Sequence, residues 1–537
     1  MKMLILFILV TTTISGFGQD SATIPPSPKE RPIIGLCLSG GGAKGFAHIG
    51  VLKIIDSLGI PIDYITGTSM GSIIGGLYAI GYTPQQIEEL VVSADWADLL
   101  NPKPKRQYES FSTKDFSKRN LLTLGLKNWK VKLPSGLNNA NKLYQKLNKV
   151  TIGYHGYHDF LQFPRGFSCV AADLNTGHGI VISNGSLPDA MRASMSIPSI
   201  FTPHKYNGQT FVDGGSVNNF PTDELKKLGC EIIIGIDLHA VSRDSSDMDL
   251  AHVLEKTSMF SNFQTSDERI ALCDVFIHPN MDGFATSDFD HGAELIIAGE
   301  EAGRLHTQDL LALLAKTSNK NITPVSAYQQ IDSVRISRLD IQGLKRVSTN
   351  YVSGTFDIEP GQAVAVQELE EAISMLYGSS YFSYATYNLI EDPEKPGSYV
   401  AVVRLTESPY DLDIGVSLHH DPDFKTGILL NFYTRNFLAK GSRLNFDAAF
   451  SEHPRFRLLY EVDRGHKPGF GISSDLYFIK PTLYNDRGNS EGTYNYTSST
   501  TALYALVTNK NHRILKLGGE YTGAVLDFKN VPALRNI

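Results

Sequence analysis

Apolar and polar positions change period along this 537-residue chain. Between residues 32 and 237, short apolar runs alternate with segments of helical period. The runs at 33–38, 62–66, 167–172, 179–182, 210–212 and 231–236 read as strands. Residues 46–58, the stretch from Ser72, 84–93 and 187–194 read as helices. Strands alternating with helices predict an α/β fold, a mostly parallel sheet with helices on both faces. Residues 241–318 look helical and polar, with the clearest helix over 288–314 closing this region. A second texture begins near 331. Residues 334–341, 384–389 and 399–405 alternate as strands and 367–377 has helical period, giving a small α+β module of about 75 residues.

From Leu412 the helical period stops. Leu444, Phe446, Ala448 and Phe450 alternate with Asn445, Asp447, Ala449 and Ser451. Phe456, Leu458 and Tyr460 alternate with Arg455, Arg457 and Glu461, and 470–478, 502–507 and 515–521 continue the theme. One apolar and one polar side, with aromatics near strand ends, predicts an all-β outer-membrane barrel; a soluble antiparallel sandwich is the alternative. Residues 411–537 hold only about six to eight strands at ~10 residues each. Residues 531–537 do not read as a closing strand, so the barrel is expected to be incomplete here.

The N-terminus bears on the compartment. Met1-Lys2-Met3 is a short basic start, residues 4–10 are apolar, and Ser15-Gly16-Phe17-Gly18 offers small residues for cleavage. Residues 1–18 therefore read as a secretory signal peptide, too short to span a membrane, and 19–31, with Pro25, Pro26 and Pro28, as an extended linker. The expected domains are 32–330, 331–410 and 411–537. Composition adds little: 42% hydrophobic and 20% charged residues suit folded domains, and a net charge of −7 gives no electrostatic reason to expect nucleic acid. Cys37, Cys169, Cys230 and Cys273 are widely spaced and read as free thiols.

Candidate chemistry concentrates at 33–76. Gly67-Thr68-Ser69-Met70-Gly71 fits G-x-S-x-G between a strand and a helix, a turn that exposes the serine Oγ. Gly40-Gly41-Gly42-Ala43-Lys44-Gly45 follows one strand and opens a helix, so its backbone N–H groups converge. Acyl transfer needs such donors for the oxyanion, at ~3 kcal/mol each. Lys44 is expected to stiffen the loop. The same string satisfies G-x-G-x-x-G, with Asp63 about 20 residues on, so a dinucleotide site is a rival; it leaves the Ser69 turn unexplained. The P-loop pattern fails because Phe46 stands where its lysine belongs. Asp213-Gly214-Gly215 ends the strand at 210–212, where sites of open α/β sheets gather. An aspartate is a weak base, with a reference pKa of ~3.9, and a D-G-G string alone is a plain turn.

The Gly40–Gly45 string, the Gly67–Gly71 string and Asp213-Gly214-Gly215, in that order, resemble the patatin-like phospholipase family. Ala172-Asp173-Leu174-Asn175-Thr176-Gly177 and Arg192-Ala193-Ser194-Met195-Ser196-Ile197-Pro198 resemble two further family blocks, so the match covers about 31–240. The resemblance implies a Ser–Asp dyad without histidine: Ser69 as nucleophile, Asp213 as base, and Gly40, Gly41 and Gly42 as oxyanion hole. It implies hydrolysis of a phospholipid or other fatty-acyl ester, with no metal and no cofactor. His48, the tempting third member, reads as helix packing, and Asp173 as a loop brace. Signal peptide, patatin domain, POTRA-like module and barrel together resemble the patatin-type outer-membrane autotransporters, with the outer membrane as partner and a homodimer possible. The alternative from another class is an outer-membrane transport or assembly protein with the patatin domain as a plug.

Overall fold

The computed structural model describes residues 31–110, 113–114, 120–132, 135–239, 267–317, 325–421, 424–464, 467–509 and 513–528. The expected signal peptide, nearly all of the 19–31 linker and the 531–537 tail lie outside these residues.

The first sheet is built from β1 (Ile34–Leu38), β2 (Tyr64–Thr68), β6 (Gly166–Asp173), β7 (Gly179–Ile182), β9 (His204–Tyr206), β10 (Gln209–Asp213), β11 (Ile232–Ile236) and β12 (Val275–Ile277). Its order is β12-β11-β1-β2-β6-β10-β9, with β7 also on β6. The pairings from β12 to β6 are parallel. β1, β6 and β11 are buried along their whole length, as strands covered on both faces must be. The pairings of β6 with β7 and β10, and of β10 with β9, are antiparallel. β9 and β10 are joined by Asn207-Gly208, both at positive φ, a two-residue hairpin that leaves no room for a crossover. A short ribbon, β5 (Gly136–Asn138) with β8 (Ser199–Phe201), lies off this sheet.

Among the described residues, the helices of six residues or more in this region are α1 (Ala47–Ser57), α2 (Met70–Ala79), α3 (Pro84–Val92), α4 (Asn141–Val150), α5 (Leu187–Ser194), α6 (Thr222–Lys227), α7 (Gly292–Leu305) and α8 (Thr307–Lys316). Thr83 and Gln86 form a capping box that starts α3. One apolar core joins β1, α1, β2 and α2 to α7 and α8. Two expectations for 241–318 need correction. The region contributes the strand β12, and the helix expected over 288–314 is two, broken at His306.

The second sheet has the order β14-β13-β16-β15, from β13 (Ser333–Gln342), β14 (Ala363–Ala365), β15 (Phe382–Glu391) and β16 (Tyr399–Glu407). Two helices cover it, α9 (Thr349–Phe356), which the sequence pattern missed, and α10 (Val366–Gly378). Leu369, Ile373 and Leu376, spaced to share one helix face, are fully buried. This module packs on α4: Asn141 Oδ1 accepts from Ala385 N at 3.0 Å, and Lys149 pairs with Glu370 at 2.9 Å.

The third sheet is antiparallel and contains β17 (Leu412–Asp421), β18 (Lys425–Arg435), β19 (Ser442–Phe450), β20 (Arg455–Arg464), β21 (Lys467–Ile479), β24 (Asn495–Asn509) and β25 (Arg513–Asp527). A short pair, β22 (Thr482–Tyr484) with β23 (Ser490–Thr493), stands apart. Unexpectedly, β3 (Leu122–Lys127) and β4 (Lys130–Val131), from within the first region, extend this sheet beyond β17. Registers place Ile414 across from Phe432, Phe432 from Phe446, and Phe446 from Leu458, so the apolar positions of successive strands share one face. That face is the exposed one: Leu418, Ile428, Phe450, Phe470, Leu503 and Leu517 are all open. The polar face is covered, with Asp413, Asn431, Arg443, Asp447, Glu461 and Asp463 each under 10% exposed. There Arg435 pairs with Asp413 and Lys516 with Glu461, both at 2.6 Å. The sheet is thus inverted relative to a protein in water, where apolar side chains go inside.

Candidate active site

Ser69 sits between β2 and α2 with φ 52° and ψ −121°, a conformation that a residue with a Cβ holds only under strain of about 1–3 kcal/mol. The strain is imposed by close packing. A Cβ on Gly71 would stand 2.3 Å from the carbonyl oxygen of Leu38, and one on Gly67 2.4 Å from that of Gly71. Only glycines let α2 start hard against the sheet and push the Ser69 side chain off its end. A Cβ on Gly45 would likewise strike Met70.

Asp213 arrives from the opposite direction. Thr68 is level with Val170 across β2 and β6, so Ser69 is level with Ala171, and Ala171 pairs with Asp213. The antiparallel β10 thus ends where the parallel β2 ends. Ser69 Oγ donates to Asp213 Oδ2 at 2.8 Å, and Gly215 N donates to Asp213 Oδ1 at 2.7 Å. Both side chains are buried. A Cβ on Gly214 would meet the Val170 carbonyl at 2.1 Å, which holds this turn against β6.

The glycine loop lies alongside. An added Cβ on Gly40 would come within 3.0 Å of Ser69 Cβ. Gly40 N already donates to the Asn219 carbonyl at 3.3 Å, so it is not an open donor, contrary to the expectation for the whole triplet. Among the described residues, no group accepts from Gly41 N or Gly42 N. Gly42 holds φ 56° and Ala43 N donates to Thr286 O at 2.8 Å, which fixes the turn over Gly42–Phe46 that carries half-buried Lys44.

Two serines missed by sequence reasoning hold these parts in place. Ser194 Oγ, on α5, accepts from Ser69 N at 2.9 Å and donates to Val170 O at 2.6 Å. The Ser196 carbonyl accepts from Asp213 N at 2.9 Å. Both lie in the Arg192–Pro198 block, but nothing local in that block marks them as partners of residues far away in sequence.

His48 is fully buried on α1, and its Nε2 bonds the Ser39 carbonyl at 2.8 Å, just before the glycines. It braces the loop and does not face Ser69. Asp173 accepts from Asn175 N at 2.7 Å and Thr176 N at 3.3 Å, bracing a turn. Asp63, which the dinucleotide reading needed, stands before β2, at the far end of the sheet from the glycine loop. There it takes Arg31 in a bidentate pair at 2.8 and 3.0 Å. No disulfide joins the four cysteines. Among the described residues no cluster of His, Cys, Asp and Glu is arranged to hold a metal ion.

Residues 36–226 match the model of the patatin-like phospholipase family, and residues 399–529 that of the OMP85 superfamily. The chain carries a patatin-like phospholipase domain followed by an OMP85-superfamily domain. A patatin-like phospholipase domain-containing protein of Caenorhabditis elegans is 27% identical over 308 residues, which is 52% of this chain and 21% of that protein. Lysophospholipase NTE1 of Saccharomyces cerevisiae is 28% identical over 315 residues, 52% of this chain and 17% of that protein. The chain thus spans about a fifth of the length of these curated relatives. The crystal structure of BamA from Haemophilus ducreyi lacking POTRA domains 1-3 aligns over 37% of each chain, at 11% identity and a TM-score of 0.28. The patatin-like domain contains the Ser69–Asp213 pair and the glycine loop, and the OMP85 match covers the inverted sheet from β17 to β25.

Two buried histidines give the patatin-like domain an acid limit. Burial lowers His48 and His155 to about 4 from the usual 6.5. His155 Nε2 bonds Asn148 O at 3.0 Å while its Nδ1 accepts from Leu389 N at 3.3 Å, a pattern only the neutral ring makes. Below pH 6.5 the unfolded chain takes up protons that the folded chain refuses. The stabilisation is complete above 6.5 and is lost as the pH falls through about 4, at up to about 3 kcal/mol per histidine. The thermal midpoint should therefore fall steadily from pH 6.5 to 4, and a midpoint unchanged across that interval would contradict the assignment.

Proposed function

We propose that the chain is a lipid acyl hydrolase, a phospholipase A-type serine esterase working with a Ser69–Asp213 dyad and held at the bacterial outer membrane. The observation that carries this reading is the 2.8 Å hydrogen bond from Ser69 Oγ to Asp213 Oδ2, beside Gly41 N and Gly42 N, from which no described group accepts. Asp213 Oδ2 takes the hydroxyl proton as Ser69 Oγ attacks a fatty-acyl carbonyl. Gly41 N–H and Gly42 N–H hold the oxyanion, at about 3 kcal/mol each, and Gly40 leaves the space for it. The tetrahedral intermediate collapses, the proton on Asp213 passes to the departing alcohol, and the acyl chain stays on Ser69. Water then adds to the acyl-enzyme, gives its proton to Asp213, and the fatty acid leaves with Ser69 reprotonated. No cofactor enters this sequence.

The inverted sheet supports the membrane half of the reading. Its exposed apolar face suits hydrocarbon and its covered polar face suits a wet lumen, which disfavours the soluble sandwich. The α+β module at 333–407 is read as the POTRA-like tether between hydrolase and sheet.

The test is lipid turnover by the full chain in phospholipid vesicles, together with labelling by a fluorophosphonate. The expected result is one fatty acid per lysophospholipid and a covalent adduct on the peptide containing Ser69. A folded protein that releases no fatty acid and takes no label overturns the reading and favours the plug.

A further inference from the structure

The hairpin formed by β3 and β4 belongs in sequence to the patatin-like domain but in space to the OMP85 sheet. Leu122, Leu124 and Leu126 pair with Val416, Ile414 and Leu412 of β17, so they extend the sheet's apolar face by one strand. The hairpin is pinned there by its own backbone. Asp411 N donates to Leu126 O at 2.8 Å, and Asn128 N donates to Asp411 Oδ2 at 3.0 Å.

Its turn is built oddly for a turn in water. Asn128 and Trp129 have φ of 51° and 62°, the two-residue turn that matches strand twist. Asparagine tolerates that conformation, whereas a bulky tryptophan is a rare occupant. The result is an indole 87% exposed at the tip. Around it Lys127, Lys130 and Lys132 are exposed, and no described acid pairs with them. Leu121 and Val131 beside them are open as well, at 78% and 56%. An apolar strand face ending in tryptophan and lysines is the chemistry of a bilayer interface, where indole sits among headgroups and ammonium groups reach phosphates.

We propose that residues 120–132 are a membrane foot of the hydrolase, seated on an anionic phospholipid surface. Leu122, Leu124 and Leu126 lie against acyl chains, Trp129 lies in the headgroup layer, and Lys127, Lys130 and Lys132 meet lipid phosphates. Two features select lipid over a protein partner: the apolar face is continuous with that of the OMP85 sheet, and the charges of residues 120–132, with which no described acid pairs, are all positive. The foot also leads toward the site. It runs through β5 to the ribbon with β8, which begins three residues after Ser196, whose carbonyl holds Asp213 N. The proposal deepens the lipid-hydrolase reading, because it says how the domain meets its substrate.

The chain has two tryptophans, which makes the test direct. Trp96 packs on Phe46 and Phe289, with ring centroids at 5.3 and 4.9 Å, so Trp96→Phe keeps an aromatic ring there and leaves Trp129 as sole reporter. The full chain with Trp96→Phe is reconstituted in vesicles of phosphatidylethanolamine and phosphatidylglycerol, with and without brominated acyl chains. The expected result is Trp129 emission quenched by the brominated lipid and protected from aqueous iodide. Emission indifferent to bromine overturns the proposal, whether the indole is then found in water, against a second copy or against another protein. This readout does not depend on hydrolysis, so it stands or falls apart from the catalytic reading. In a hydrolysing preparation, the combined Lys127→Gln, Lys130→Gln and Lys132→Gln variant should release fatty acid from these vesicles roughly tenfold more slowly. It should cleave a soluble short-chain ester at the wild-type rate; loss of both activities together would count against the foot.

Discussion

Asp213→Asn and Ser69→Ala each lower acyl-ester hydrolysis by about 10⁴-fold or more while leaving the fold intact. The two losses have different causes. Alanine at 69 removes the attacking oxygen; the backbone strain and the Ser194 hydrogen bond to Ser69 N remain. Asparagine at 213 keeps a carbonyl oxygen to accept from Gly215 N, so the turn over Gly214–Ser216 is preserved. Its amide can then only donate toward Ser69 Oγ, and the proton has nowhere to go. The check is kcat on a soluble ester beside the thermal midpoint of each variant. A midpoint within a few degrees of wild type ties the loss to chemistry. An Asp213→Asn enzyme of near-wild-type rate removes the dyad from the mechanism. The two substitutions together should lose little more than either alone, because residues acting on one proton and one bond are not additive.

The parts of this site that the chain announces are the local ones. Gly67, Ser69 and Gly71 are spaced by the turn itself, and the closeness of Leu38 O to Gly71 is what makes glycine obligatory there. Asp213 was legible as the end of a strand, but not why it reaches Ser69. That depends on β10 running antiparallel to β6, a register fixed by the Asn207-Gly208 hairpin and by partners far away in sequence. Gly40 shows the same limit: its place in a glycine string predicts an open donor, and the Asn219 carbonyl, brought in from after β10, takes it. The alternation after residue 412 was enough to predict strands with one apolar side. It could not reveal that β3, almost 300 residues earlier, extends that face, because pairing between distant strands leaves no local trace. Strand β12 and helix α9 were missed for a plainer reason: both are short, and their burial comes from neighbours rather than from a period of their own.

Arg404→Ala should destabilise the chain by about 2–4 kcal/mol, through a pair that joins the α+β module to the helix carrying Ser194. Asp189, on α5, has a side chain 2% exposed. Its Oδ1 accepts from His204 Nε2 at 3.0 Å and its Oδ2 from Arg404 Nη1 at 3.1 Å. Burial by itself would raise the Asp189 carboxyl; the His204 hydrogen bond and the Arg404 charge outweigh it and hold the group well below the usual carboxylate range. Burial lowers His204, so the ring donates as a neutral imidazole, leaving Arg404 as the full positive charge bonded to Asp189. Without it, a carboxylate would remain in the interior with only neutral donors, His204 and Ser186. The loss sits below the largest values for buried pairs because the Arg404 side chain is 34% exposed, so water screens part of the attraction. Asp189→Asn should cancel much of the penalty: in that background Arg404→Ala should cost under about 1 kcal/mol, a coupling readable in a double-mutant cycle. A penalty for Arg404→Ala that is the same in both backgrounds would mean that its packing matters and its charge does not. The same helix bears on chemistry, since a shift of α5 moves Ser194 Oγ from Ser69 N. Arg404→Ala should therefore lower kcat on a soluble ester severalfold with little change in KM, which a purely structural tether would not do.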